Sequence, residues 1–378
     1  MDNPASTKFL NHKLQTQNTK HLTPDTRHLT PDTKHKIPNT KHQTPNTMNA
    51  PNILDQLKRD GHIRSSTARA TALTGGVSSD IYLVEDGSEK WVVKRALEKL
   101  NVQEDWFADI SRNRFEQEYL TYVGAFLPEA VPRVVFTGDG YFAMEYLGNS
   151  FLNWKQSMLN GRYEPAWAHQ AGRTLGVIHR TSSGDEHARK RFDSTDDFHQ
   201  LRSEPYLVFT GSRHPELTAM FEAEVSRLES TRECLVHGDY SPKNILVSES
   251  RLVVLGCEVA WYGDPAFDLA FLLTRLHLKA IHRPSASSIL AAMVGKTLAS
   301  YFTARHPDDR ERIELEQRTC RLLLMILLAR IDGKSPVEYL TETEPREWVR
   351  RFTKKALMGG MDNLSDTSAA WYSQAATL

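Results

Sequence analysis

The sequence predicts an α/β (α+β) protein with two lobes, a small β-rich lobe followed by a mostly helical large lobe. Three observations favour this class. Short runs rich in β-branched and aromatic residues, separated by glycine turns, lie within residues 73–96 and 134–147. From residue 148 onward, apolar residues recur mainly at helical spacing. The chain has 378 residues, which is enough for about two such units.

Residues 1–47 differ in composition from the rest of the chain. From Thr19 a seven-residue unit with one Thr-Lys/Arg-His start and one proline repeats four times. The proline in each unit interrupts a helix, and no apolar residue recurs at coiled-coil spacing. We therefore predict that residues 1–47 form a disordered heptad-repeat tail. Met48 follows the repeat directly, and we expect it to be the natural start.

The overall composition excludes several classes of partner. Lys plus Arg and Asp plus Glu number 47 each, so no net charge marks a nucleic-acid binder. The widely spaced Cys234, Cys257 and Cys320 fit a reducing compartment better than a disulfide framework. The longest apolar run, residues 322–329, has eight residues, whereas a membrane span needs about 20. We predict a cytoplasmic protein that binds neither nucleic acid nor membrane, with this run as a core helix.

The small lobe, predicted at residues 51–147, begins with a strand, a glycine turn and a second strand. The turn contains Gly75, Gly76 and Ser78, and backbone amides in such a turn can bind phosphate. Lys94 follows inside a β-rich run, where a lysine is unexpected. The sequence therefore offers a turn and a cation that could both face an anionic ligand.

The helix predicted after this strand supplies a carboxylate for Lys94. Glu116 lies on the helical face of Leu120 and Val123, so it is expected to point into the lobe. Glu118 lies off that face. We predict Glu116 as the partner of Lys94, with Glu118 as the alternative because the helical register is not fixed by the sequence.

A polar loop between two apolar strands organises the large lobe. His237, Gly238, Asp239 and Asn244 follow the spacing of a kinase catalytic loop, in which the Asp accepts the proton of the substrate hydroxyl and the Asn holds a metal ion. With the run GDPAFDLA behind it, this loop resembles the aminoglycoside phosphotransferase and choline kinase family of small-molecule kinases, and in particular the D-x-E branch that includes methylthioribose kinase. The resemblance covers about residues 70–355.

This resemblance implies a protein-kinase-like fold, with an N-lobe at 51–147 and a C-lobe at 148–360. Residues 361–378 are rich in Ser, Thr and Ala without a clear period, so we predict a flexible C-terminal tail there. The resemblance also implies an ATP site, a bound magnesium ion and a small-molecule hydroxyl acceptor. The implied roles are catalytic base for Asp239, metal binding for Asn244 and Glu258, ATP binding for Gly75, Gly76, Ser78, Lys94, Glu116, Glu145 and Leu147, and structural support for His237 and Asp268.

The sequence departs from the family pattern at one metal-binding position. Where the D-x-E branch carries Asp-x-Glu, this chain has Gly256, Cys257 and Glu258. A glycine supplies no oxygen ligand, so we predict a weakened magnesium site. Glu258 would face the same side of an extended strand as residue 256. Three interpretations follow: a natural pseudo-enzyme, an altered copy of an active kinase, or an enzyme that uses Glu258 and Asn244.

The predicted function is transfer of the ATP γ-phosphoryl group to a hydroxyl of a small molecule, impaired because Gly256 replaces the metal-binding Asp. The alternative is a nucleotide- or ligand-binding pseudokinase without turnover. The acceptor is open among a sugar, an amino alcohol and an aminoglycoside. The region between residues 189 and 229 contains charged candidates of both signs for acceptor binding. These are Asp193, Asp196 and Asp197 for an amine-bearing acceptor, and Arg202 and Arg213 for an acidic one.

Overall fold

The computed structural model describes residues 50–73, 79–96 and 112–378. All of them belong to one compact unit, Asn46–Leu378. The predicted tail at 1–47 lies outside the described residues, and so does the turn with Gly75, Gly76 and Ser78.

The small lobe is built on an antiparallel sheet. Its described strands are β1 (Arg69–Ala72), β2 (Ser79–Asp86), β3 (Glu89–Ala96), β4 (Val134–Gly138) and β5 (Tyr141–Glu145), in the order β1-β2-β3-β5-β4. Helix α1 (Ala50–Arg59) precedes the sheet, and helix α2 (Arg112–Gly124) lies between β3 and β4. The side chains of β5 are buried alternately in two hydrophobic clusters, one on each face of the sheet. Tyr82, Val84 and Val93 belong to the core of this lobe together with Ile53 and Leu57 of α1.

The large lobe is mostly helical, which confirms the predicted fold class. Two small sheets, β6-β8-β9 and β7-β10, lie among the helices and flank the polar loop after β7. The strands are β6 (Leu152–Asn153), β7 (Cys234–Val236), β8 (Ile245–Val247), β9 (Leu252–Val254) and β10 (Trp261–Gly263). The helices are α3 (Trp154–Leu159), α4 (Pro165–Ser182), α5 (Glu186–Arg191), α6 (Thr195–Phe198), which continues as a π-helix (His199–Val208), α7 (Phe209–Arg213), α8 (Thr218–Ser230), α9 (Pro265–His282), α10 (Ser287–Arg305), α11 (Asp309–Asp332), α12 (Thr343–Met358) and α13 (Leu364–Ala375).

Helices α4, α9, α10 and α11 form the centre of this lobe. Two glycines let α4 and α10 approach closely: a Cβ at Gly172 would lie 2.2 Å from the carbonyl oxygen of Thr297, and one at Gly176 would lie 2.5 Å from that of Tyr301. The apolar run at residues 322–329 is buried within α11, as predicted. In the described part of the chain, no helix is long and apolar enough to cross a membrane.

The C-terminus differs from the predicted flexible tail at 361–378, because it contains helix α13. Trp371 on this helix is fully buried, and its indole N–H donates to the carbonyl oxygen of His277 at 3.0 Å. Asn363 caps the helix by accepting the N–H of Asp366 at 2.9 Å. Leu364 and Trp371 are seven residues apart on one face. This apolar face, which the Ser-, Thr- and Ala-rich composition obscured, explains why the segment packs on the core.

Replacing Trp371 with Ala is therefore expected to lower the free energy of unfolding by about 3 kcal/mol, since a large buried side chain would leave a cavity. Urea unfolding followed by circular dichroism measures this change. Gln374→Ala is the control, because Gln374 is exposed on the same helix. An equal loss of unfolding free energy in the two variants would show that α13 does not dock on the core.

Candidate active site

The polar loop after β7 is held by a buried carboxylate. Asp268 is fully buried in the first turn of α9. Its two oxygens accept the backbone N–H groups of His237 at 2.7 Å and of Gly238 at 3.0 Å. Hydrogen bonds to a charged acceptor are stronger than neutral ones. Asp268 therefore fixes the loop backbone immediately before Asp239, the position at which the sequence predicts structural support.

The backbone conformation explains why Gly238 stands where many kinases have an arginine. Gly238 has a φ angle of +75°, and a Cβ at this position would lie 2.3 Å from the carbonyl oxygen of Val259. A side chain would clash with backbone that cannot move away cheaply. The His-Gly-Asp sequence is thus required by the close packing of the loop against residue 259.

Two further side chains fix the backbone of Asp239. His237 accepts the N–H of Asp239 on Nδ1 at 3.1 Å, and its Nε2 lies 3.0 Å from the carbonyl oxygen of Leu255. Burial lowers the pKa of His237, so the ring is neutral and donates from Nε2. Asn244 donates its amide N–H to the carbonyl oxygen of Asp239 at 3.0 Å. The amide oxygen of Asn244, the atom that would bind a cation, is not used in that bond.

The carboxylate of Asp239 lies beside a guanidinium group. Its Oδ2 is 3.2 Å from Nη2 of Arg202, and its Oδ1 is 3.4 Å from the Ser241 hydroxyl. Burial alone would raise the pKa of Asp239, but the positive charges of Arg202, Lys243 and Arg275 outweigh this effect and lower it. The carboxylate is therefore ionised at neutral pH, which is the form that accepts a proton.

In the small lobe, the structure pairs Lys94 of β3 with Glu116 of α2. Both side chains are buried, and the ammonium group contacts Oε2 of Glu116. Glu118, the alternative partner, instead lies 3.4 Å from Arg191. Burial would lower the pKa of Lys94, but the carboxylates of Glu116 and Glu258 raise it above its usual value. Lys94 is therefore charged, and Glu258 lies close enough to affect it.

Gly256 lies between the Lys94–Glu116 pair of the small lobe and Asn244 of the polar loop. Its N–H donates to Oε1 of Glu116 at 3.2 Å, which connects the large lobe to α2. Its φ angle is +69°, and a Cβ at this position would lie 2.8 Å from Oδ1 of Asn244. A side chain at residue 256 would therefore point at the predicted metal ligand Asn244. Within the described ranges, no three His, Cys, Asp or Glu side chains are grouped as a metal site would need.

Glu145, to which the resemblance assigns ATP binding, connects the two lobes. Its carboxylate lies 3.0 Å from Nη1 of Arg251 and accepts the N–H of Arg133 at 3.2 Å. Its own N–H donates to the carbonyl oxygen of Arg133 at 2.9 Å. Leu147, two residues beyond β5, is half-buried. The carboxylate and the backbone N–H of Glu145 are thus both used within the protein.

Among the five charged acceptor candidates, Arg202 is brought to Asp239. Arg202 also donates to the carbonyl oxygen of Gly238. Asp193 and Asp196 are exposed, and Arg213 is exposed and stacks over the ring of Phe209. Arg202, a candidate for binding an acid, thus contacts Asp239, whereas Asp193 and Asp196, candidates for binding an amine, lie at the surface.

Comparison with known proteins identifies the family of this chain. The sequence profile of the phosphotransferase enzyme family (APH) matches residues 69–323. The chain belongs to the phosphotransferase enzyme family. Methylthioribose kinase of Pectobacterium atrosepticum is 24% identical over 273 residues, which cover 63% of this chain and 66% of that kinase. Methylthioribose kinase of Bacillus cereus (strain AH187) is 26% identical over 253 residues, covering 59% of this chain and 63% of that kinase.

The chain thus spans less than two thirds of the length of these curated relatives. Two solved structures share the fold of this chain. Amicoumacin kinase hAmiN, in complex with AMP-PNP, Ca²⁺ and Ami, has a TM-score of 0.55 and 12% identity over 84% of this chain and 96% of that one. Choline kinase from Cryptosporidium parvum has a TM-score of 0.52 and 10% identity over 84% and 99%. These similarities confirm the predicted two-lobe fold.

The structure has a cavity of about 230 Å³ beside Asp239. Ser241 and Lys243 of the loop line one side, and Tyr206 of the π-helix lines another. Helices α9 and α11 add basic side chains to the wall. The carboxylate of Asp239 therefore faces a space of the size of a small metabolite.

Sequence reasoning missed the basic residues of this wall. They are Arg275 and Lys279 of α9 and Arg330 of α11. A signal was present, because Arg275 and Lys279 are four residues apart on a helix that is otherwise mostly apolar, and Arg330 directly follows the apolar run at 322–329. Cations at buried helical positions are uncommon unless they are paired or functional.

Proposed function

We propose that the chain is an ATP-dependent phosphotransferase that moves the γ-phosphoryl group to a hydroxyl of a small molecule. The main support is Asp239, an ionised carboxylate with a fixed backbone at the edge of a small cavity. Phosphoryl transfer depends mainly on positioning and on electrostatic stabilisation. A held carboxylate beside a cavity provides the positioning for an acceptor hydroxyl.

In the proposed reaction, the acceptor hydroxyl donates a hydrogen bond to Asp239. The acceptor oxygen bonds to the γ-phosphorus as the bond from that phosphorus to ADP breaks, and the hydroxyl proton passes to Asp239. Lys94, held by Glu116, contacts the phosphates of ATP. The adenine lies against the chain after β5, at Leu147, while Glu145 holds the lobes together through Arg251.

In this proposal a divalent cation would have few protein ligands. Asn244 and Glu258 supply one amide oxygen and one carboxylate, and magnesium often binds through one or two carboxylates with substrate phosphates and water. The cation would neutralise charge on the phosphates when bound. Because Gly256 supplies no ligand, we propose that this site is weaker than in relatives with Asp-x-Glu.

A second candidate is nucleotide binding without turnover. Gly256 favours it, because the missing carboxylate would reduce charge neutralisation during transfer. Consumption of ATP that depends on an added hydroxyl compound separates the two candidates. If ATP binds but is not consumed in the presence of any added hydroxyl compound, the result would support the pseudokinase.

The nucleotide site itself is tested by removing the buried ion pair as a unit. Replacing Lys94 alone would leave Glu116 as a buried unpaired charge and destabilise the fold, so we use Lys94→Met with Glu116→Gln. This variant is expected to lose most of the increase in melting temperature that magnesium-ATP gives, because the phosphates lose their cation.

The matched control is Lys90→Met with Glu85→Gln, which removes an exposed ion pair between the neighbouring strands β2 and β3. This control variant should keep the full increase in melting temperature that magnesium-ATP gives. If both double variants retain the increase, the nucleotide binds elsewhere and the proposed roles of Lys94 and Glu116 are wrong.

A further inference from the structure

The cavity beside Asp239 has an excess of positive charge. Five basic side chains line it, against two acidic ones, Asp239 and Glu338. Both acidic groups are paired, Asp239 with Arg202 and Glu338 with Lys155. The ion pairs therefore do not neutralise the remaining cations of the wall.

Three of these basic side chains come from α9 and α11 and make no ion pair with any described residue. Arg330 is 7% exposed, and its Nη1 donates to the hydroxyl of Ser335 at 2.8 Å. Its buried Nε has no hydrogen-bond partner in the described chain. Lys279 is 2% exposed, and its ammonium group lies 3.3 Å from the ring centre of Tyr339. Arg275 stacks over Phe271, 4.6 Å from the ring centre.

Burying positive charge without a counter-charge is costly. The pKa values of Lys279 and Tyr206, which line the cavity, are both lowered as a result. Burial, reinforced by the positive charges of Lys155, Arg275 and Arg330, lowers the pKa of Lys279 to about 6 despite the opposing charge of Glu338. Burial alone would raise the pKa of Tyr206, but Arg330, Arg275 and Arg202 lower it to about 8. Lys279 is therefore largely uncharged at neutral pH in the unliganded protein, and the positive potential of the cavity comes from Arg275, Arg330 and the other basic residues of the wall.

We infer that this cavity binds an acceptor that carries a negatively charged group, a carboxylate or a phosphate, on the same small molecule whose hydroxyl meets Asp239. The inference rests on the proposed function and adds the substrate class. Paired donors of guanidinium groups match the oxygens of both anions. A cavity of about 230 Å³ suits a compact metabolite. Its charge disfavours cationic acceptors, such as an amino alcohol or an aminoglycoside, by direct repulsion.

Binding is measured first without nucleotide, at constant ionic strength. The probes are glycerate, glycerol 3-phosphate, glycerol and choline, which differ in charge at similar size. We expect the two anions to bind by calorimetry and to raise the melting temperature, while glycerol and choline do neither at the same concentration. Whichever anion binds more tightly identifies the carboxylate or the phosphate as the preferred group. Equal binding of glycerol or choline would overturn the inference.

Variants then assign the binding to this wall. Arg275→Gln and Lys279→Met should each weaken binding of the preferred anion by about tenfold or more. Arg310→Gln is the control, because Arg310 is exposed at the other end of α11 and pairs with Glu314. Lys279→Met should also raise the melting temperature of the unliganded protein, since the folded state no longer holds a buried amine with a lowered pKa. Unchanged anion binding in both cavity variants would overturn the inference.

Turnover separates this inference from the proposed function. If an anion binds at this wall but supports no ATP consumption, the anion site stands and the phosphotransfer proposal fails. If ATP is consumed with choline or glycerol and not with the anions, phosphotransfer stands and the inference fails.

Discussion

Asp239→Asn is expected to reduce phosphotransfer by about 10²- to 10⁴-fold, the range typical for loss of a positioned general base. The amide has nearly the same shape as the carboxylate but does not take up a proton. The backbone of residue 239 is fixed by His237 and Asn244 through main-chain groups, which the substitution leaves in place. The variant therefore removes the proton acceptor while keeping the loop.

The fold should lose only a little stability. The pKa of Asp239 is lowered in the folded state, so the charged form contributes stability above the unfolded pKa of about 3.9, and this contribution is lost as the pH falls through the folded value. At pH 7 the asparagine variant lacks it, because the amide does not form an ion pair with Arg202. The increase in melting temperature with magnesium-ATP should remain, since the nucleotide contacts lie elsewhere.

Steady-state ATP consumption with a saturating acceptor measures the effect. Asp196→Asn is the control, because Asp196 is an exposed acid away from the cavity. Turnover of Asp239→Asn within a few-fold of the unaltered protein would show that another group accepts the proton and that the loop has been misinterpreted.

The parts of the site that the sequence predicted are those whose contacts are local or depend on a simple period. His237 to Asn244 span eight residues, and the hydrogen bonds that hold Asp239 form within that span. Glu116 points at Lys94 because its helical face is the apolar one. The two-lobe fold follows from the change between strand and helix periodicity at about residue 148.

The parts that the sequence did not predict depend on how distant elements pack. The wall of the cavity joins Arg275 and Arg330 on two helices whose relative position no local pattern fixes. Arg251 meets Glu145 across 106 residues of chain. At the C-terminus, composition hid the apolar face of α13, which needs a surface on the core in order to fold. Tertiary packing decides each of these cases.

Gly256→Asp is expected to raise magnesium-dependent ATP consumption by about a thousandfold, since electrostatic terms of this kind are worth several kcal/mol in a transition state. The new carboxylate would point at Asn244, because the Cβ position at residue 256 lies 2.8 Å from the Oδ1 atom of that residue. The amide of Asn244 would have to move away from this Cβ, although its nitrogen also donates to the carbonyl oxygen of Asp239. Two oxygen ligands would then stand side by side for one cation.

Gly256→Asp is expected to lower the stability of the fold, and a control must separate this loss from the gain in ATP consumption. Gly256 has a φ angle of +69°, where Asp and Asn are tolerated better than other residues but still cost about 1–2 kcal/mol. Gly256→Asn carries nearly the same strain and volume without the charge, so Asp and Asn variants should lose similar amounts of stability. Their difference in ATP consumption isolates the effect of the carboxylate.

A second control addresses the cation in the unaltered protein. If Glu258 is the surviving carboxylate ligand, Glu258→Gln should weaken the magnesium dependence of nucleotide binding. The same substitution should have a smaller effect in the Gly256→Asp variant, which has a second carboxylate. Equal gains with Asp and Asn at residue 256 would attribute the effect to the backbone instead of the charge. Equal turnover by the unaltered protein and the Gly256→Asp variant would mean that Gly256 is no lesion and that the cation has other ligands. In either case the proposed weakening of the metal site would be wrong, whereas a gain confined to Gly256→Asp would identify the missing carboxylate as the cause of low activity.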